Sequence, residues 1–257
     1  MAAAPGCDLR RGRSLPTLQT RTVANVLIGL LALQSGLLAV GASDLRRAGI
    51  FVICMILAIA VHEFSHAFAA HRLGDPVPEG QGRLTLNPIA HMDPIGTLAL
   101  PLLLSVFSPG MLFGWGRPVE TQPRNYTRKV TMRAGMAIVA FAGPLSNLVL
   151  AVLSLGVIFG LAKGGVLPTP LAVDHPLLTF YFLNIILFVF NLLPIHPLDG
   201  GKVLAWLLPA RYQHVDDFLG RYGFVILIVL MISPVPILAY MFAPFYDIGM
   251  AALQAVL

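Results

Sequence analysis

Runs of about 20 residues almost free of charge recur along this chain, and that is the length an α-helix needs to cross the hydrocarbon core of a bilayer. The runs are 23–42, 48–70, 94–115, 134–162, 176–208 and 222–242. Three are interrupted: 94–115 by Pro101 and Ser108-Pro109-Gly110, 176–208 by Pro194, Pro197 and Gly200-Gly201, and 222–242 by Pro234 and Pro236. Of the 257 residues, 57% are hydrophobic and 11% charged. A soluble domain carries about 25% charged residues, so too few charges are present to cover a water-facing surface. Disorder is excluded by the same apolar content. The net charge of +5 lacks the basic stripe with interleaved aromatics that nucleic-acid binding requires. Cys7 and Cys54 cannot build a disulfide framework.

No repeat or linker divides the chain. The expected organisation is a tail over 1–22 followed by one membrane domain over 23–257. The run 23–42 ends in Val40-Gly41-Ala42, a passable signal-cleavage site. A signal core spans about 7–15 residues, so this longer run is expected to be retained as a helix.

Basic residues favour the cytoplasmic side of a membrane. A cytoplasmic N-terminus, with 94–115 entering the membrane and leaving on the same side, puts fourteen of the 17 Lys and Arg residues inside. Only Arg46, Arg47 and Lys163 then fall outside. If 94–115 crosses, seven remain inside. The expectation is therefore an all-α polytopic bundle of five spans plus a re-entrant segment, rather than six spans. Alternation over Arg83 to Leu86 suggests a small β element between 79 and 88, able to pair with an extended substrate.

Ionisable groups within spanning helices mark functional sites. His62-Glu63-Phe64-Ser65-His66 places two imidazoles one turn apart on one helix face. That spacing allows both to hold one zinc ion, with Glu63 beside the metal-bound water. A hydrolytic zinc site takes a third protein ligand. His71, His91, Asp93, His196 and Asp199 are the candidates. Asp199 ranks first and His196 second, because they lie where prolines and glycines break an apolar segment and re-aim side chains. Asn147 and Asn191 either assist the chemistry or hydrogen-bond between helices.

These motifs, with Gly143-Pro144-Leu145-Ser146-Asn147 and the segment from Asn191 through Pro194, Pro197 and Asp199 to Gly200, resemble the site-2 protease family of intramembrane zinc metalloproteases. Gly82 to Pro88, His91 to Pro94 and Phe113 to Val119 are similar to its compact prokaryotic branch, which lacks a PDZ domain. The resemblance covers about 48–208. It implies one Zn²⁺ per chain, held by His62, His66 and Asp199, and a catalytic Glu63. It places Asn147 facing the active site. His196 stands where the family often has a small residue or proline, leaving open an extra ligand, a proton shuttle or a cavity-lining group. Implied substrates are single transmembrane helices of regulatory proteins, cleaved in the inner membrane by a site that opens to the cytoplasm. A zinc-binding membrane protein or metal transporter is the rival reading, but it has no use for Glu63 beside the first histidine.

Overall fold

The computed structural model describes residues 41–107, 114–167, 171–172, 174–232 and 237–254. The tail 1–22 and the run 23–42, except for its last two residues, lie outside them. Helix α1, Ala42–Arg72, carries Asp44 in its first turn and His71 and Arg72 in its last, the charges that suit each end of the helix dipole. Its buried stripe runs through Ala48, Val52, Met55, Ile59, His62, His66 and Ala70, at the spacing of one helix face. Leu45, Ile53, Leu57 and Phe68 are exposed.

The chain then makes a compact polar loop. Gly74 turns it at φ 99°, and Asp75 accepts from the backbone N–H of Gln122 (2.6 Å) and the side chain of Asn125 (2.8 Å). Asn87 caps a short turn at Pro88–Ala90. Asp93 caps the wide turn Pro94–Ala99, accepting from the N–H groups of Ile95 and Gly96. Helix α2, Leu100–Phe107, follows. After 108–113, which lie outside the described residues, the backbone is back beside its point of entry. Trp115 N–H donates to Gly96 O at 3.2 Å, and Thr97 Oγ1 donates to Trp115 O at 2.7 Å.

Helix α3, Met132–Lys163, is capped by Thr131 and contains Pro144. Helix α4, Pro176–Asn191, has a His175 cap and proline at its first position. An irregular stretch with a cis His196–Pro197 bond leads to α5, Asp199–Leu207. Helices α6, Gln213–Ile232, and α7, Ile237–Gln254, complete the described chain. Helix α3 is central, packing on α1, α4 and α5. Phe245 stacks edge-on with Phe188, and Gly249 lies against Tyr181, so α7 runs antiparallel to α4.

Among the described residues the protein is all-helical. Helices α1 and α3 are long and apolar enough to cross a membrane, with mean hydropathy of 2.1 and 2.2 over their most apolar stretches. Exposed Val149, Val152, Leu153 and Val157 cover the outer side of α3, where a soluble protein would place polar groups. The run 48–70 falls within α1, 134–162 within α3, and 176–208 is the broken pair α4–α5.

Two expectations differ from the structure. Residues 79–88 form no strand. A strand needs a ladder partner, whereas here Arg83 N–H closes a turn onto Pro78 O, Asn87 N–H bonds Thr85 Oγ1, and the His91 ring bonds Thr85 O. The described part of the run 222–242 also falls in two helices. It joins the apolar half of α6, which begins earlier at Gln213, to the start of α7. Pro234 and Pro236, in the interval between these helices, lie outside the described residues.

Candidate metal centre

Helix α1 presents His62 and His66 toward α3 and α5. Glycines at the contacts make this approach feasible. A Cβ on Gly143 of α3 would meet the rings of both histidines, at 2.7 Å from His62 Cε1. A Cβ on Gly200 would run into the backbone of Leu192 and Leu193, and one on Gly201 would meet His196 Nδ1 at 2.9 Å. Asp199, the first residue of α5, is thereby carried to the histidines. His62 Nε2 and His66 Nε2 lie 3.0 Å apart, and Asp199 Oδ2 is 3.3 Å from the first and 3.2 Å from the second. All three residues are buried.

Hydrogen bonds fix the tautomers. His66 Nδ1 faces Val139 O at 2.7 Å, a carbonyl that can only accept, so Nδ1 carries the proton. His62 Nδ1 faces Asn147 Oδ1 at 2.6 Å. Asn147 Nδ2 donates to Asn184 Oδ1 at 2.9 Å, and Asn184 Nδ2 donates to Phe180 O at 2.8 Å. The terminal carbonyl sets the polarity of the whole series, making His62 Nδ1 a donor as well. In the neutral tautomers both Nε2 lone pairs and a carboxylate oxygen converge, an arrangement that suits a bound cation. Zinc–ligand bonds of about 2.0–2.2 Å in a tetrahedron place ligand atoms roughly 3.3 Å apart, which matches these separations. The residues present fit a zinc ion.

Glu63 follows His62 on the same turn. Its Oε2 accepts from Val119 N–H at 2.9 Å, within the extended segment that follows Trp115. Lys202 Nζ lies 3.5 Å from Asp199 Oδ1. Arg83 is buried and donates from Nη1 to Ala90 O and from Nη2 to Pro118 O. Burial, and then Arg117 beside it, pull its pKa below the ordinary guanidinium value.

The other candidate ligands do not join this cluster. His71 pairs with Glu79 at 3.5 Å, His91 bonds Thr85 O at 2.8 Å, and Asp93 caps its turn. His196 Nε2 lies 2.9 Å from Asp216 Oδ1 on α6. Asn191 donates to Leu187 O within its own helix. Asn147 touches the cluster at His62 Nδ1. Sequence reasoning missed Asn184, although an asparagine in the middle of an apolar 16-residue helix meets the same criterion that singled out Asn147. It also missed Val119, whose backbone N–H leaves no signature in residue type.

The model of Peptidase family M50 matches residues 164–232, a segment that includes Asp199. "Putative zinc metalloprotease YwhC" of Bacillus subtilis is 34% identical over 203 residues, 77% of this chain and 86% of that protein. "Putative zinc metalloprotease Rip2" of Mycolicibacterium smegmatis is 35% identical over 216 residues, 81% and 79% of the two chains. Rip2 of Mycobacterium tuberculosis H37Rv is 33% identical over 220 residues, 81% and 80%. No solved structure matches the chain. With identity of this order running through most of both chains, and with His62, His66 and Asp199 converging, the chain belongs to Peptidase family M50, the site-2 protease family.

Proposed function

We infer that this zinc metalloprotease cleaves peptide bonds within or near transmembrane helices of other membrane proteins, in regulated intramembrane proteolysis. The observation that carries this reading is the convergence of two imidazole Nε2 atoms and a carboxylate inside an apolar helix bundle. His62, His66 and Asp199 would hold the metal. Zinc in such a site supplies Lewis acidity, polarising a carbonyl and lowering the pKa of a water molecule. Glu63 accepts the proton of the attacking water and delivers it to the departing amine nitrogen. Its Oε2 is engaged by Val119 N–H, which leaves Oε1 for the proton. Asn147 and Asn184 hold the His62 ring and its tautomer.

Counting along α1 at 1.5 Å per residue, His62 and His66 lie about 15 and 9 Å from its Arg72 end. That depth is inside the apolar layer yet within reach of water from one side. We read that side as cytoplasmic, since Arg72, Arg83, Arg117, Arg124, Arg128, Lys129 and Arg133 cluster there in sequence. Arg46 and Arg47 at the opposite end share Asp174, which offsets one of their two charges. The return of Trp115 to Gly96 supports a re-entrant 94–115. The antiparallel course of α7 against α4 supports α6 and α7 as one interrupted crossing. With the run 23–42 this gives five spans and an outward C-terminus. A helical substrate hides its scissile carbonyls, so residues that weaken the helix are expected near the cut.

Replacing Glu63 with Gln tests the reading. Zinc content should be unchanged, while cleavage of a model transmembrane segment falls by about 10²–10⁴-fold. Retained cleavage rejects Glu63 as the proton carrier.

A further inference from the structure

Arg83 is 4% exposed. A buried charge is costly unless its donors find acceptors, and two of its acceptors are the backbone carbonyls of Ala90 and Pro118, the latter at 3.2 Å. Pro118 O belongs to the same peptide group as Val119 N, whose N–H donates to Glu63 Oε2 at 2.9 Å. One peptide plane thus sits between a cation and a carboxylate, its C=O turned to the first and its N–H to the second. Hydrogen bonds to charged partners at both ends polarise the amide, and each strengthens the other.

The segment that carries this peptide is seated closely on α1. A Cβ on Gly114 would meet Met55 Sδ at 2.7 Å, and one on Gly116 would meet Ile59 and His91 O, the latter at 3.1 Å. Met55, Ile59 and Glu63 are successive turns of one helix face. The extended segment therefore descends α1 turn by turn until Val119 reaches Glu63, and Arg83 secures it there.

We propose that Arg83 is a positioning residue for Glu63, acting through the single peptide group Pro118–Val119. It fixes the peptide, the peptide fixes Oε2, and Oε1 is left to carry the proton. This rests on the reading of Glu63 given above. A glutamate released from this clip would sample other rotamers, and small displacements of a reacting group cost about 10–100-fold in rate.

The test uses full-length, zinc-loaded enzyme and a model transmembrane substrate, with Arg83→Gln, Arg83→Lys, Val119→Pro and the double variant Arg83→Gln/Val119→Pro. Val119→Pro removes the N–H while leaving the Pro118 carbonyl to Arg83. Arg83→Gln and Val119→Pro should each lower kcat by about 10–100-fold, with KM and zinc content unchanged. The double variant should be no slower than the slower single, because both act along one path. Arg83→Lys should recover part of the rate. In metal-free protein, amide exchange at Val119 should quicken in Arg83→Gln. Unchanged kcat in Val119→Pro, losses that multiply in the double variant, or a loss of zinc that accounts for the loss of rate would overturn the proposal. If Arg83→Gln does not accumulate, Val119→Pro decides alone. Full activity in Arg83→Gln beside a dead Glu63→Gln overturns this proposal and leaves the protease reading standing. An active Glu63→Gln overturns the reading itself.

Discussion

His62 and His66 were legible in the sequence because their relation is local: four residues along one helix fix their separation before any tertiary contact forms. Asp199 is far away in sequence and became legible through the proline and glycine break around it. Asn184 was not singled out, since its purpose exists only once α4 meets α3. Its bond to Asn147 gives it a measurable role. Asn147→Leu should weaken zinc affinity by about 10–100-fold, the usual effect of removing a ligand's hydrogen-bond partner. Asn184→Leu should do so to a lesser degree, because Asn147 remains. Competition with a chelator of known affinity reads both, and unchanged affinity in Asn147→Leu would remove it from the site's support.

At the scale of elements, two unbroken apolar runs became α1 and α3, because length and hydropathy suffice for a helix that satisfies its own backbone. Where pairing or packing decides, pattern alone misled. The alternation at Arg83–Leu86 reads as a strand, yet Arg83 turns inward to bind carbonyls and the segment meets no ladder partner. Helix α5 depends on contact with the irregular stretch before it, through Gly200 and Gly201. Gly200→Ala places a methyl group in the backbone of Leu192 and Leu193, so α5 must shift and carry Asp199 with it. Overpacking of this kind costs about 1–3 kcal/mol. The melting temperature should fall and the extra stability conferred by added zinc should shrink. A variant that melts lower but gains normally from zinc would separate α5 packing from the metal centre.

For the whole molecule, the family is membrane-associated and two helices, α1 and α3, are long and apolar enough to cross a bilayer. Orientation then follows from where its basic residues can rest. Single cysteines introduced at Arg128 and Lys163, in a background lacking Cys7 and Cys54, bracket α3. A membrane-impermeant thiol reagent applied to intact cells should label position 163 and spare position 128. Labelling at 128 but not 163 would invert the orientation, and labelling of both would remove α3 as a crossing.

The central claim is that two imidazoles from α1 and a carboxylate from α5 hold one zinc ion. X-ray absorption at the zinc edge of the purified protein, compared with Asp199→Ala, tests it most directly. The account predicts one zinc per chain with two imidazole nitrogens and oxygen completing the shell, and loss of the metal from Asp199→Ala. Full zinc occupancy with an unchanged spectrum in Asp199→Ala, or sulfur in the native shell, would contradict it.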